Sequence, residues 1–140
     1  MATVTVHELR PRPPESEKLT INLGYVDLGQ IELLVAEGFY SNRTDFIRTA
    51  IRNQLDRHAE AVRQSTARRA VELGLRRITR AELEAAHDAG RPLDLRVLGI
   101  AAIDADVTPE LARAGLASIS VLGTLQASRE VRAALADRIA

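Results

Sequence analysis

The sequence predicts an α+β chain in two unlike parts: a small N-terminal domain of one strand and two helices, then a small α/β domain. Three observations carry this. Residues 18–23 alternate apolar and polar with a period of two, as a half-buried strand does. Residues 27–57 place apolar side chains at helical spacing, interrupted once at Gly38. Beyond about residue 72, short apolar runs alternate with capped helical stretches, and a Val-Leu-Gly triplet recurs at 97–99 and 121–123.

Residues 1–17 hold Pro11, Pro13 and Pro14, which block ladder and helical hydrogen bonds alike, so they predict a flexible arm. The Thr-Val alternation at its start offers an edge strand to an assembly. In Lys-Leu-Thr-Ile-Asn-Leu, residues 18–23, Leu19, Ile21 and Leu23 share one face while Lys18, Thr20 and Asn22 share the other. A lone strand leaves its edges unpaired, and no hairpin partner follows it in the chain.

Leu28, Ile31, Leu34 and Val35 predict a helix from Asp27 to Glu37, with Asp27 as cap or first-turn acid. Gly38 stops it. A second helix starts at Ser41 or Asn42 and buries a stripe of Phe46, Ile47, Ala50, Ile51, Gln54 and Leu55. Its rhythm continues weakly through His58 and Val62, which predicts one long helix reaching the sixties. The first domain then spans 18–60, and a helical extension or linker covers 61–72. The Ala- and Arg-rich distal half has good propensity but little apolar area.

The second domain covers 73–140. Leu73 to Ile78 leads to Thr79, which with Glu82 makes a capping box for a helix over 80–89 that Gly90 ends. A strand-like run follows at 93–100. Thr108 caps a helix with Pro109 at its first position, an apolar run returns at 116–122, and Ser128 caps a last helix over 129–138. The two Val-Leu-Gly triplets lie 24 residues apart, within the range of strand–turn–helix repeats. A short strand–helix repeat stack and an ordinary small α/β domain both satisfy that spacing.

The chain carries 19 basic and 19 acidic residues, a balance that argues against nonspecific coating of nucleic acid. The total conceals an uneven distribution. From Arg43 to Arg80 there are ten arginines against four carboxylates, Asp45, Asp56, Glu60 and Glu72. The absence of cysteine excludes a disulfide framework and a thiolate metal site. No run approaches 18 apolar residues and no secretory pattern opens the chain, so a cytoplasmic protein without a membrane segment is expected. For catalysis, only Asp104 and Asp106 stand close together, and a solvated turn feeding the Thr108 cap accounts for them. Neither a phosphate-binding glycine loop nor a nucleophile elbow is present, so no enzymatic activity and no cofactor are expected.

Residues 18–57 resemble the ribbon-helix-helix family of DNA-binding proteins, in the branch of plasmid copy-number repressors, partition and antitoxin proteins and the nickel-responsive repressor. The likeness rests on the strand Lys18–Leu23, a helix ending at Gly38, the Ser-x-x-x-Asp-Phe-Ile-Arg opening at Ser41 and the Ala50-Ile51-Arg52 continuation. It implies that the strand pairs antiparallel with its copy in a second subunit and that this two-stranded ribbon enters a major groove. On that basis Lys18, Thr20 and Asn22 contact base edges, while Ser41, Asn42 and Arg43 hold a phosphate. Leu19, Ile21, Leu23, Leu28, Ile31, Leu34, Phe46, Ile47, Ala50 and Ile51 form the core of an obligate homodimer. Ser41 has an equally plain role as a helix cap.

The resemblance implies a sequence-specific, autoregulatory transcriptional repressor acting on double-stranded DNA and associated with the nucleoid. An antitoxin whose C-terminal part binds a toxin is the first alternative, and a protein-interaction module that keeps the fold for dimerisation alone is the second. The C-terminal part then serves a tetramer or higher oligomer, or binds another protein. One departure from the family matters. The nickel-responsive branch uses histidines and a cysteine in its C-terminal domain, whereas His7, His58 and His87 are scattered here, so no metal site is expected.

Overall fold

A computed structural model describes residues 16–140. Most of the predicted arm, with its Thr-Val alternation and His7, lies outside the described residues. Three helices come first: α1 (Tyr25–Ala36), α2 (Arg43–Arg57) and α3 (Ala59–Arg68). After them run β1 (Glu72–Ile78), α4 (Arg80–Asp88), β2 (Leu93–Ile103), α5 (Pro109–Gly115), β3 (Leu116–Gln126) and α6 (Arg129–Ala134). The chain divides into two units, Met1–His58 and Ala59–Ala140.

The first unit corrects the expected architecture. Residues 18–23 form no strand, the described N-terminal unit is helical, and the antiparallel ribbon that was to lead the fold is absent from it. A strand is held by ladder hydrogen bonds to a neighbour, and among the described residues the sheet consists of β1, β2 and β3, all parallel. Among the described residues none pairs with residues 18–23. They have no regular secondary structure and are exposed, with Leu19 79% and Ile21 62% accessible.

α1 starts two residues earlier than its acid implied, behind Gly24, and Asp27 stands in its first turn rather than at the cap. It packs on α2, and of the predicted stripe Ile31 is buried while Leu28, Leu34 and Val35 are half-buried. The single long second helix is also corrected. At His58 the backbone N–H turns to the Leu55 carbonyl at 3.1 Å, a tightened last turn that closes α2 before α3 begins.

In the second unit each parallel strand reaches the next through a helix. The sheet order is β1-β2-β3, so every strand pairs with its sequence neighbour. The register aligns Leu73 with Leu98 and Leu122, and Gly74 with Gly99 and Gly123. One face carries the core: Ile78, Leu83, Leu95, Val97, Ala101, Leu116, Ile119, Leu125, Val131 and Leu135 pack together beneath the helices. Thr79, Thr108 and Ser128 cap α4, α5 and α6, each accepting from the N–H three residues on. The last helix ends at Ala134, short of the expected 138, because the tail is drawn to the sheet. Ile119 donates to the Arg138 carbonyl and accepts from Ala140, which bridges Ile139 to β3.

Candidate nucleic-acid interface

The turn before α2 is ordered by its own side chains. Asn42 is the N-cap, its Oδ1 accepting the Asp45 N–H at 2.8 Å, while the Asp45 carboxylate accepts the Ser41 N–H at 3.0 Å. This reciprocal pair satisfies two backbone donors in the manner of a capping box. Tyr40 and Phe46 stack edge to face at 5.0 Å and tie the turn to the first turn of the helix. The Asn42 side chain and the Ser41 amide are thus engaged, leaving the Ser41 hydroxyl and the Arg43 and Thr44 amides without a partner among the described residues.

Arg43 reaches back to Glu32 on α1 at 3.5 Å, an exposed pair. The spacing between these residues gives no local signal, since they lie on different helices. Arg48 and Arg52 behave differently. Asp45 lies three residues before Arg48 and Asp56 four after Arg52, yet among the described residues neither arginine has a carboxylate partner. Both are exposed, one turn apart, and with Asn42, Thr44 and Asp45 they line an open recess of about 330 Å³ at the start of α2. A 15-residue helix directs its positive end toward that recess.

Of the seven other arginines of the dense segment, four are matched by carboxylates and Arg57, Arg68 and Arg69 are not. Arg63 pairs with Glu60, Arg76 with Glu72 and Glu82, Arg77 with Asp104 and Arg80 with Glu84. Hydrogen bonds to Glu82, Asp104 and Glu84, respectively, raise the Arg76, Arg77 and Arg80 pKa values above the ordinary guanidinium value. The Arg77 fork grips Asp104 at 2.8 and 3.0 Å, so this carboxylate is a structural partner of β1. The described residues contain no group of three metal-ligating side chains.

The expected base-contacting residues Lys18, Thr20 and Asn22 are all exposed on the segment before α1. The expected dimer core is only partly assembled. Leu28, Leu34, Phe46 and Ile47 are half-buried, while Leu19, Ile21, Leu23, Ala50 and Ile51 are exposed. Ile21, Leu23, Leu28, Ile31 and Ile47 line a second open recess of about 370 Å³.

The topology overturns the functional picture built on the ribbon. An antiparallel N-terminal ribbon placed in a major groove needs a strand at residues 18–23, and the strands here are internal and parallel. The repressor, antitoxin and dimerisation-module readings, each resting on that ribbon, lose their structural basis with it. No described helix is long and apolar enough to cross a membrane.

A family model described as the ribbon-helix-helix transcriptional regulator family matches residues 14–132. The match extends well beyond the 40-residue likeness read from the sequence and runs through the parallel sheet into α6. Neither a curated protein nor a solved structure matches the chain.

Proposed function

This chain belongs to the ribbon-helix-helix transcriptional regulator family, and from that premise we propose that it regulates transcription by gripping double-stranded DNA as a homodimer through the start of α2. The family is one of regulators and not of enzymes. The observation that carries the reading is the pair of unmatched arginines, Arg48 and Arg52, beside the N-terminus of α2. In the following unit, by contrast, six of the twelve arginines pair with a carboxylate. Cations held without a partner at a helix N-terminus suit phosphate.

In this reading Arg48, Arg52, Arg43 and the Ser41 hydroxyl hold the DNA backbone, assisted by amides at Asn42 and Arg43. The second subunit covers the apolar side chains that one copy leaves in water, among them Leu19, Ile21, Leu23 and Ile51. Among the described residues of the two-helix unit Ile31 alone is buried, too small a core to stand alone. Association with the nucleoid follows from such binding.

Fluorescence anisotropy of the full chain with duplex DNA across a salt series tests this. Binding should weaken steeply as salt rises, and an Arg48→Gln, Arg52→Gln double variant should lower the magnitude of the log–log slope by about 2 per subunit. Absence of binding at low salt, or an unchanged slope in the variant, would overturn it.

A further inference from the structure

We propose that the parallel sheet is one segment of a longer stack, with β1 of one copy of the chain adding in parallel to the free edge of β3 of another. The occupant of that edge is a second copy because the chain already makes this contact twice with itself. β1 docks on β2 and β2 on β3 in one continuing register, which carries Leu73, Leu98 and Leu122 along one row and Gly74, Gly99 and Gly123 along the next. A further strand on β3 therefore meets the same surface that β1 and β2 meet.

The glycine row identifies what is missing. A Cβ on Gly99 would collide with the Gly74 carbonyl, and a Cβ on Gly123 with the Gly99 carbonyl, so each strand nests on the glycine of the strand before it. Gly74 shares the left-handed backbone, with φ +107 against +131 and +126, yet nothing lies within 4 Å of its Cβ position. The open slot on β1 has the form that receives a glycine carbonyl. Gly123 on the far edge presents one.

Exposure follows the same logic. Leu98 and Ile100 on the central strand are half-buried, whereas their row neighbours on the two edges, Leu73, Leu75 and Leu122, are 69, 70 and 63% exposed. The added strand would place Leu73 beside Leu122 and Leu75 beside Thr124, with no like charges opposed. Neither edge strand contains lysine or proline, the residues that commonly blunt such edges.

Strand lengths fit as well. β1 has 7 residues against 11 in β2 and β3, and its register reaches back only to the row of Val97 and Val121. The earlier part of the β3 edge is occupied by the tail, which bridges at Ile119. The tail thus fills the stretch of edge that a short β1 leaves unused. A contact of this kind joins two different surfaces, so it propagates into an open filament or closes into a ring.

Sedimentation velocity of the full chain over a concentration range reads the proposal, with circular dichroism confirming the fold of each variant. The wild type should form species larger than two chains whose mass rises with concentration. Leu73→Glu alone and Leu122→Arg alone should each weaken that growth roughly tenfold or more. The double variant sets opposite charges in one intermolecular row, and growth should return. Within one chain these positions are two strands apart and do not pair. A wild-type mass that never exceeds two chains, single variants that grow as the wild type does, or a folded double variant that fails to recover would each overturn the proposal.

Discussion

The backbone carbonyl of Gly99 stands where a Cβ on Gly123 would have to go, and the two residues lie in register on adjacent parallel strands. Gly123→Ala therefore meets two penalties, a left-handed φ of +126 and a collision with backbone that has no rotamer to change. The expected loss is about 2–3 kcal/mol. Gly90→Ala, also left-handed but with open space around it, isolates the conformational cost and should lose only about 1 kcal/mol. Urea unfolding followed by circular dichroism compares the two, and equal losses would show that close strand approach at Gly123 is unimportant.

Leu135 follows the last helix and is fully buried in the cluster with Ile119 and Val131. Truncation to alanine removes its contacts and leaves a cavity beneath β3, for an expected loss of about 2–5 kcal/mol. Leu33→Ala, at an exposed position on α1, should stay within about 0.5 kcal/mol. A Leu135→Ala variant as stable as the wild type would mean that the tail does not seal the sheet.

Asn42 caps α2 through the Asp45 amide, and this bond has no substitute if the side chain is removed. Asn42→Ala should destabilise the N-terminal unit by about 1 kcal/mol, while Asn42→Ser keeps an acceptor and most of the stability. Amide hydrogen exchange at the first turn of α2 is the sensitive measurement. Protection equal to that of the wild type in the alanine variant would contradict the cap.

Asp137 is held below its ordinary pKa, first by its hydrogen bond with Arg113 and then by a backbone hydrogen bond. A depressed folded-state pKa favours the folded state above the unfolded-state pKa. The contribution is lost as pH falls through the folded-state value. Asp137→Asn should accordingly be less stable than the wild type near neutral pH, by a small amount because the pair is exposed, and the two should converge in acid. Unfolding curves that differ equally at neutral and strongly acidic pH would exclude this origin.

What was legible in the sequence was local. Thr79, Thr108 and Ser128 cap their helices because a hydroxyl three residues before an orphan N–H meets it whatever the rest of the chain does. The apolar spacing of α1 and the 24-residue recurrence of Val-Leu-Gly are likewise short-range patterns, visible without knowing what packs where. The exposed grip at α2 was only half legible. Arg43 was singled out, but its partner Glu32 lies on another helix, and the unmatched state of Arg48 and Arg52 depends on where every nearby carboxylate ends up.

The strands show the division most clearly. Period-two alternation at residues 18–23 is the pattern of a strand, but alternation alone cannot supply a hydrogen-bonding neighbour, and the segment forms no strand. Only the tertiary structure decided that the sheet is built from β1, β2 and β3, that it is parallel, and that its glycines stack. Strand pairing is a contact between distant residues, settled by which edges meet once helices cover one face. The sequence by itself therefore determined the pieces and their caps, and packing decided which of them became a sheet.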